Sequence, residues 1–459
     1  MSQTHAISRN PSTGEEIARY PFQDGAALET SLQAVQAGFQ TWRDASLARR
    51  VEALRSMAGA LRDNAEVLAR TSCAEMGMPI SQARAEVAKC AALCDWYAEH
   101  GPAMLAEETT QVEHDRARVA YLPLGPVLAV MPWNFPFWQV MRGAVPIILG
   151  GNSYLLKHAP NVMGSATLLT RIWRESGLPA GVFELINVTP ELVSRSIADP
   201  RIAAVAVTGS VGAGAAIAAQ AGAALKKCVL ELGGSDPFIV LADADLDEAV
   251  KAAVIGRFQN NGQICIAAKR IILEAPIAEA FTQRFVATVS ALKIGDPQDD
   301  NTYLGPMARA DLRDELDGQV RATLEEGASL LLGGHPLEGP GNYYAPTVLG
   351  NVQPGMTSFR QEIFGPVASL IVARDAEHAI ELANDSEFGL GGSLWSGDVD
   401  NAMKLARRIV SGAVFINGYA ASDPRVPIGG VKKSGYGREL SHFGLREFLN
   451  VQTVWRDRR

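Results

Sequence analysis

The sequence predicts an α/β protein built from two doubly wound parallel sheets, with a small additional β ribbon. Short apolar segments alternate with helical periodicity from residue 125 to 231, and again from 237 to about 430. Such alternation is typical of parallel strands joined by helices. The 459 residues suffice for two domains with full cores, or three with a small one. No low-complexity linker separates the units, so residues 231–234 form the predicted boundary.

The composition excludes several classes of protein. Hydrophobic residues at 47% and charged residues at 20% are typical of a soluble globular chain. A net charge of −8 argues against a nucleic-acid partner, although a local basic pocket for an anion stays possible. Cys90 and Cys94, four residues apart on an Ala-rich helix, are predicted to be core residues, so we expect no metal site. The odd, sparse count of five Cys fits a reducing compartment.

No segment predicts export or membrane insertion. The N-terminus lacks the apolar core of a secretory signal. The most apolar run, residues 140–156, is interrupted by Arg142, Pro146 and Asn152, and is too broken to span a bilayer. We therefore expect a cytoplasmic protein without a membrane partner.

The N-terminal quarter predicts a hairpin and three helices. A Pro-Ser-Thr-Gly turn indicates a short hairpin at 11–22, and apolar periodicity predicts helices at 25–43, 47–76 and 80–100. Around 104–123 the pattern changes to strict alternation, which predicts an extended ribbon with one polar side.

The first alternating unit predicts a nucleotide-binding sheet. Residues 208–214, TGSVGAG, follow a strand and precede a helix, a position that suits a pyrophosphate or ribose contact. Their glycine spacing differs from the common dinucleotide fingerprint, and a plain helix start capped by Ser210 is the alternative. Strands are predicted near 126–131, 153–157, 183–187, 203–207 and 227–231, and helices near 136–149, 161–176, 190–198 and 211–224.

The second unit contributes six predicted strands, and the C-terminal tail one more. The six are PFIVL, RIILE, ASLLLG, ASLIVA, GGSLWS and GAVFING. Residues 450–455 alternate again but stand too far from other strands to form a sheet alone. Because an unpaired strand needs a partner, the tail predicts a homo-oligomer.

Cys265 is the candidate nucleophile. A helix opening near Asp245 is broken by Asn260, Asn261 and Gly262, which leaves the thiol on a sharp bend. A thiol on such a bend, with free backbone N–H groups around it, is placed for nucleophilic chemistry. The alternative is a small buried hydrophobe.

Two further residues complete a candidate acyl-transfer site. Glu231 ends an apolar strand, where α/β proteins place catalytic groups, and could act as a base; the alternative is a capping carboxylate. Asn134 lies on a strand-to-helix loop, where its amide could donate to an oxyanion; the alternative is a turn-forming Asn. With Cys265, these residues supply base, oxyanion donor and nucleophile.

Six motifs in order resemble the aldehyde dehydrogenase family, and together they cover nearly the whole chain. They are PWNFP (132–136), TGS (208–210), ELGG (231–234), GQIC (262–265), EIFGP (362–366) and GGVKKSGYGRE (429–439).

The resemblance implies an aldehyde dehydrogenase-like fold with assigned domains. Residues 1–104 and 124–232 would form the dinucleotide-binding domain, and 233–430 the catalytic domain that carries the thiol. Residues 105–123 and 447–459 would be oligomerisation strands that join a sheet across subunits of a homodimer or homotetramer.

The resemblance also implies NAD or NADP as the cofactor. Glu362 would hold the nicotinamide ribose hydroxyls, with Phe364 against the ring. Many NAD-using members carry an acidic residue three positions after Lys157, where this chain has Pro160, so that ribose contact is missing. Taken alone, Trp133 and Leu232 would be core residues. The candidate cofactor contacts are Trp133, Lys157, Pro160, Gly209, Ser210, Leu232, Glu362 and Phe364.

Substrate selection is predicted from the helix after Asn134, where Gln139 and Arg142 share a face. Succinate-semialdehyde dehydrogenases of this family are similar in placing an Arg eight residues after that Asn. The likeness implies a carboxylated aldehyde, succinate semialdehyde, oxidised to succinate. Some members carry a second Arg where this chain has Gln259, and Arg425 is a candidate substitute.

Two other functions stay open from the sequence. The same chemistry could act on neutral or aromatic aldehydes if Arg142 were held in a structural salt bridge. A catalytically silent nucleotide-binding scaffold is the third reading, because fold alone does not fix function.

Overall fold

The computed structural model describes residues 4–457. The first three and last two residues, which fall in the predicted dinucleotide-binding domain and the predicted oligomerisation strand, lie outside the described residues. The chain begins with a hairpin followed by helices that cover the first sheet. These elements are β1 (His5–Arg9), β2 (Glu16–Pro21), α1 (Gly25–Arg43), α2 (Leu47–Asp63), α3 (Ala65–Met76) and α4 (Ile80–Met104).

The predicted single helix at 47–76 is two helices, which corrects that expectation. The break falls at Asn64, whose side-chain amide donates to the Ala60 carbonyl at 2.8 Å. An Asn side chain bonded to the backbone competes with continuation of the helix. Two strands follow α4, namely β3 (Glu108–Thr109) and β4 (Ala117–Pro123).

The first alternating unit forms a sheet in which the predicted strands are parallel and neighbouring. Its order is β9-β8-β5-β6-β7, which places β8 and β6 on either side of β5. Its elements are β5 (Val127–Met131), α5 (Trp138–Leu149), β6 (Tyr154–His158), α6 (Met163–Glu175), β7 (Phe183–Ile186), α7 (Pro190–Ala198), β8 (Ala204–Thr208), α8 (Val211–Ala223) and β9 (Lys227–Glu231).

The second unit forms a seven-stranded sheet with the order β12-β13-β14-β11-β10-β15-β16. Only β12 runs antiparallel to its neighbour. The elements are β10 (Asp236–Val240), α9 (Leu246–Phe258), β11 (Ala268–Glu274), α10 (Ala275–Ser290), α11 (Ala310–Glu325), β12 (Ser329–Leu332), β13 (Thr347–Gly350), α12 (Thr357–Arg360), β14 (Val367–Ala373), α13 (Ala376–Asn384), β15 (Ser393–Trp395), α14 (Val399–Ala406) and β16 (Phe415–Ile416).

One strand of this sheet, β13, is absent from the sequence prediction. Its residues Thr347–Gly350 are all buried and follow a Pro and two Tyr, so the segment shows no alternation. A strand covered on both faces gives only a short apolar run, which periodicity does not separate from a loop.

The chain then returns to the first sheet and ends in the ribbon. Strand β17 (Gly435–Tyr436) pairs antiparallel with β9, and α15 (Ser441–Glu447) leads into β18 (Leu449–Trp455). Strand β18 pairs with β4 over seven residues. The expectation that the tail lacks a partner in its own chain was therefore wrong, because β4 is that partner. The three-stranded ribbon, in the order β18-β4-β3, keeps exposed edges.

Within residues 4–457, no helix is long and apolar enough to cross a membrane. The predicted apolar run at 140–156 is instead the buried helix α5 and strand β6. The chain passes from the first sheet to the second between Glu231, at the end of β9, and Asp236, at the start of β10. The carboxyl ends of the parallel strands of the first sheet thus face the segment that carries Cys265.

Candidate active site

A cleft of about 520 Å³ collects most of the residues predicted from the sequence. It lies beyond the carboxyl ends of β5, β8 and β9, where ligands of open α/β sheets bind. The predicted residues that line it are Cys265, Glu231, Asn134, Gln139, Trp133, Gly209, Ser210, Leu232, Glu362 and Phe364.

The bend before Cys265 has the predicted form. Helix α9 begins after its cap Asp245, and Asn260 and Asn261 have positive φ values of 51° and 56°. Gly262 has φ 72°, and a Cβ there would lie 2.2 Å from the Gly365 carbonyl oxygen. Because a side chain has no room at that position, glycine is needed to bring the thiol segment against its neighbour.

Asn134 is fixed to the same segment by hydrogen bonds. Its Nδ2 donates to the Gln263 carbonyl at 3.0 Å, and Asn260 Nδ2 donates to the Asn134 carbonyl at 2.6 Å. An amide nitrogen carries two hydrogens, so a second one is left for an oxygen at the thiol. The buried Asn134 is therefore a preorganised donor next to the Cys265 loop.

Glu231 has the environment of a buried base. Its side chain is 3% exposed, and Oε1 has no hydrogen-bond partner among residues 4–457. Burial raises the pKa of Glu231 to about 8, against the opposing positive charge of Arg142. A carboxylate with a pKa near neutrality and a free oxygen can accept a proton from water.

The Cys265 thiol is protonated at neutral pH in this environment. Burial raises its pKa to about 11, although Arg142 and Lys269 act to lower it. Lys269, which the sequence analysis missed, donates from Nζ to the Cys265 carbonyl at 2.7 Å and to the Gly234 carbonyl at 2.6 Å. This fully buried ammonium therefore fixes the backbone of the nucleophile.

Arg142 already has a carboxylate partner within the protein. It is 2% exposed and forms an ion pair through Nε with Glu439, while its Nη2 lies 3.9 Å from Glu231 Oε2. Burial opposes its charge, but Glu439 and Glu231 outweigh burial and raise the pKa of Arg142. Glu439 is thus an anion that this Arg meets within the protein, and the expectation that Arg142 also binds a substrate carboxylate stays a prediction. Glu439 is the last residue of the motif GGVKKSGYGRE, so an acidic candidate partner for Arg142 was present among the sequence motifs.

Two other predicted substrate contacts lie outside the cleft. Arg425 is 74% exposed at its side chain and pairs with Asp423 at 2.7 Å, so its charge is used at the surface. Gln259 caps the end of α9, is half-buried and does not line the cleft. Their places do not support the prediction that they bind the substrate, because neither side chain reaches the cleft that Cys265 lines.

The far side of the cleft carries an acidic and an aromatic group. Glu362 Oε1 accepts hydrogen bonds from Lys269 Nζ at 2.9 Å and from the Gly234 N–H at 3.0 Å. The rings of Trp133 and Phe364 meet edge-on with their centres 5.8 Å apart. Together these residues present a carboxylate oxygen and aromatic surface to whatever occupies the cleft.

The N-terminus of α8 fits a phosphate group. Ser210 caps the helix by accepting from the Ala213 N–H at 3.3 Å, and a Cβ at Gly209 or Gly212 would meet nothing within 4 Å. Open space beside free N–H groups at a helix start suits an anion. A Cβ at Gly214 would lie 2.4 Å from Leu232, so this third glycine allows α8 to pack closely. The residues therefore fit a dinucleotide.

Lys157 and Pro160 lie at the edge of this region. Neither lines the cleft; Lys157 is half-buried near the end of β6, and burial lowers its pKa. Pro160 is exposed and begins a short 3₁₀ turn. His158, next to Lys157, is buried, and burial lowers its pKa to about 4, so it is neutral at pH 7.

Comparisons with known proteins give a consistent match over nearly the full chain. A model of the aldehyde dehydrogenase family matches residues 1–454. Succinate semialdehyde dehydrogenase [NAD(P)+] of Escherichia coli (strain K12) is 63% identical over 455 residues, which cover 99% of this chain and 98% of that protein.

Two more distant relatives are also named as succinate-semialdehyde dehydrogenases. A probable succinate-semialdehyde dehydrogenase [NADP(+)] of Synechocystis sp. is 47% identical over 97% of this chain and 98% of that protein. The crystal structure of succinic semialdehyde dehydrogenase from Streptococcus pyogenes in complex with NADP+ superposes with a TM-score of 0.96 at 35% identity. The match covers 98% of this chain and 99% of that one.

Proposed function

This chain belongs to the aldehyde dehydrogenase family, and from that premise we propose that it oxidises succinate semialdehyde to succinate with NAD or NADP. The observation that carries the proposal is the convergence of Cys265, Asn134 and Glu231 on one cleft. The names of the relatives support the choice of aldehyde, since the matches at 63% and 47% identity are both succinate-semialdehyde dehydrogenases.

The first step joins the thiol to the aldehyde. Cys265 Sγ bonds to the carbonyl carbon, and the thiol proton ends on the former carbonyl oxygen to give a thiohemiacetal. Negative charge develops on that oxygen during attack, and the Asn134 amide is placed to donate to it. Such a donor stabilises the transition state by about 3 kcal/mol. A nicotinamide bound in the cleft would supply the acceptor for the hydride from the thiohemiacetal carbon. The hydroxyl proton is lost to water, and a thioester is left on Cys265.

The second step releases the acid. Glu231 accepts a proton from a water molecule, whose oxygen attacks the thioester carbon while the carbon–sulfur bond breaks. The thiolate of Cys265 leaves and recovers a proton. The unpaired Glu231 Oε1 and the raised pKa of this carboxyl support its role as the base.

Residues of both domains would hold the cofactor. The open start of α8 at Gly209 and Gly212 suits the pyrophosphate, and Glu362 is placed for ribose hydroxyls. Trp133 and Phe364 would bound the nicotinamide. Without an acidic residue at position 160, the adenosine ribose site does not repel a 2′-phosphate, so both NAD and NADP would be accepted.

The ion pair of Arg142 with Glu439 favours a second candidate. If no cation is available for the far carboxylate, the enzyme would accept neutral or aromatic aldehydes with similar efficiency. A carboxylate-specific enzyme needs a different cation near the thiol.

The ribbon supports assembly into a homodimer or homotetramer. Strand β18 exposes Val451, Val454 and Trp455 by 60%, 51% and 52%, and both β18 and β3 are open edges. An exposed apolar edge strand is a template for pairing with another chain. A second copy of the same chain would cover it.

A panel of aldehydes with each cofactor tests the proposal. Wild-type protein should oxidise succinate semialdehyde with a kcat/KM at least tenfold above that for butanal, with either cofactor. Cys265→Ala should lose more than 99% of this activity yet still bind cofactor, because the thiol forms every covalent intermediate. Equal kcat/KM for all aldehydes would support the broad-specificity candidate, and no turnover of any would exclude both.

A further inference from the structure

Lys269 is a buried cation that lies between the thiol loop and the carboxylate on the far side of the cleft. Its side chain is fully buried, and it is the second residue of β11, four positions after Cys265. The pairing of β11 with β10 shifts by one residue here: Ala268 and Arg270 each have a partner on β10, and Lys269 between them has none. Such a shift redirects a side chain. The ammonium thereby reaches the loop that carries the thiol.

The ammonium group uses all of its hydrogens inside the protein. Nζ donates to the Gly234 carbonyl at 2.6 Å, to the Cys265 carbonyl at 2.7 Å and to Glu362 Oε1 at 2.9 Å. An ammonium has three donors, so none is left over. One nitrogen therefore joins three segments that are distant in sequence: the crossing between the two sheets, the thiol loop and the loop that carries Glu362.

The three segments also pack against one another without side chains between them. A Cβ at Gly234 would lie 2.7 Å from the Cys265 carbonyl oxygen, and a Cβ at Gly233 would overlap Glu362 Oε2. The Gly234 N–H donates to Glu362 Oε1 at 3.0 Å. Because this contact is so close, the positions of the thiol loop and of the carboxylate depend on each other.

Lys269 sets the direction of the Glu362 carboxylate. Both hydrogen bonds from the protein go to Oε1, so Oε2 is the oxygen that a cofactor hydroxyl can use. Glu362 is 21% exposed at its side chain and lines the cleft, whereas Lys269 does not line it. Nζ also lies 5.7 Å from the ring centre of Phe364, which bounds the same part of the cleft. Lys269 can therefore affect a ligand only through its neighbours.

The charge of Lys269 also acts on the thiol. Burial raises the pKa of Cys265, Arg142 and then Lys269 lower it, and Glu231 and Glu362 raise it. Arg142 is paired with a carboxylate elsewhere, whereas Lys269 is bonded to the backbone of the nucleophile itself. The other charged groups that interact with Lys269 or Glu362 are Asp236, Arg257 and Arg270.

We propose that Lys269 is a positioning residue with two effects: it orients the Glu362 carboxylate toward the cofactor ribose, and it stabilises the thiolate of Cys265. The assignment rests on the proposed function, because it takes Cys265 as the nucleophile and Glu362 as a cofactor contact. Loss of this one ammonium should therefore weaken cofactor binding and slow the chemistry of the thiol together.

Alkylation by iodoacetamide, without cofactor or aldehyde, tests the effect on the thiol. In Lys269→Met, Cys265 should react at least tenfold more slowly at pH 8 than in wild type, and the curve of rate against pH should move to higher pH, because the thiolate is the reactive form. Peptide mass spectrometry separates the label on Cys265 from that on the half-buried Cys228. A lysine that only packs the loop would expose the thiol when removed, and alkylation would become faster.

Three further variants control this measurement. Glu362→Gln removes the negative partner of Lys269, so alkylation should become at least threefold faster at pH 8. Lys269→Gln keeps a donor but loses the charge, so it should slow alkylation and carries the test if circular dichroism shows that Lys269→Met does not fold. Lys251→Met, which removes an exposed charge paired with Glu248, is the matched control and should leave the rate unchanged.

Fluorescence titration with NADH tests the effect on the cofactor. The Kd should be at least tenfold weaker in Lys269→Met and in Glu362→Gln than in wild type or Lys251→Met. The double variant Lys269→Met with Glu362→Gln should stay within threefold of the weaker single variant, because both changes act through the same carboxylate. Losses that multiply would show that the two residues act independently and would contradict the assignment.

The outcomes separate the role of Lys269 from the function on which it rests. Wild-type alkylation and wild-type NADH binding in a folded Lys269 variant overturn the assignment, as does faster alkylation of Cys265. A wild type that binds neither NADH nor NADPH and oxidises no aldehyde instead removes the proposed function. The alkylation rates still report on Lys269 in that case, because they need no turnover.

Discussion

At the scale of single residues, the candidate site is a set of buried charges, each with a distinct partner. Lys269 fixes the Cys265 backbone and Glu362, while Arg142 is held by Glu439. Glu231 keeps Oε1 without a hydrogen-bond partner among the described residues. Because the environments of the two carboxylates differ, Glu231 can act as a base while Glu439 has a structural role.

Glu231→Gln should separate the two half-reactions. Reduced cofactor should form once per site in a rapid burst, and steady turnover should fall by about 10²–10⁴-fold because no base activates water. Stopped-flow absorbance with one equivalent of enzyme measures both phases. Absence of the burst would place Glu231 in removal of the thiol proton, and unchanged turnover would exclude it from the mechanism.

The pH dependence of thioester hydrolysis should also report the ionisation of Glu231. The carboxylate form of Glu231 is the proposed base, and with a pKa raised to about 8 by burial it becomes predominant only above that pH. Thioester hydrolysis should therefore accelerate about tenfold per pH unit below 8 and level off above it. The Gln variant should lose this dependence.

Arg142→Gln should affect all aldehydes alike. Removing one partner of a buried ion pair leaves Glu439 uncompensated, which costs about 3–5 kcal/mol of folding stability. Urea unfolding should show this loss, and kcat/KM for succinate semialdehyde and for butanal should fall by factors within threefold of each other. A selective rise in KM for the acid would return the substrate role to Arg142.

At the scale of elements, the cofactor site is made by the ends of strands and the start of one helix. Helix α8 begins at open glycines, and no carboxylate follows Lys157 near the end of β6. Position 160, which we propose to face the adenosine ribose, therefore carries no charge. This absence favours tolerance of a 2′-phosphate.

Both cofactors should support turnover as a result. Lack of a hydroxyl-to-carboxylate bond weakens NAD by about 1.5–3 kcal/mol, and Lys157 is available to attract the extra phosphate of NADP. The ratio of kcat/KM for NAD to that for NADP should stay below a thousandfold. Lys157→Gln should reduce NADP use about tenfold more than NAD use. A larger preference for NAD, above about 4 kcal/mol, would mean that another group reads the ribose.

At the scale of the whole molecule, the ribbon exposes several large apolar residues along its edge strand β18. Its strands pair along β18 and β4, yet nearly all of β18 is exposed. The central strands of the two larger sheets, such as β5, β8, β10 and β11, are almost fully buried. The contrast supports a partner subunit at the ribbon.

Substitution at the ribbon should therefore change the assembly and not the fold. Wild-type protein should sediment as a homodimer or homotetramer, and the double variant Val451→Asp with Trp455→Asp should sediment as smaller species, because two charges oppose burial of that strand face. Thr109→Ser, on β3, is the control. A monomeric wild type would contradict the assembly.

The sequence by itself predicted the first sheet, most strands of the second sheet and the candidate reactive groups. Apolar strands and helical periodicity are local properties, so the first sheet and its helices were predicted to within a few residues. The residues around Cys265 likewise carry their own turn chemistry, since Asn and Gly adopt positive φ with little strain. Motif order then indicated the family.

Only the tertiary structure decided how the charges pair. Arg142 and Glu439 are 297 positions apart, and Lys269 and Glu362 are 93 apart, so no local pattern relates them. The β4–β18 pairing is equally distant in sequence. Which carboxylate each cation meets depends on neighbours brought together by folding, because the cost of burying a charge is set by the groups around it.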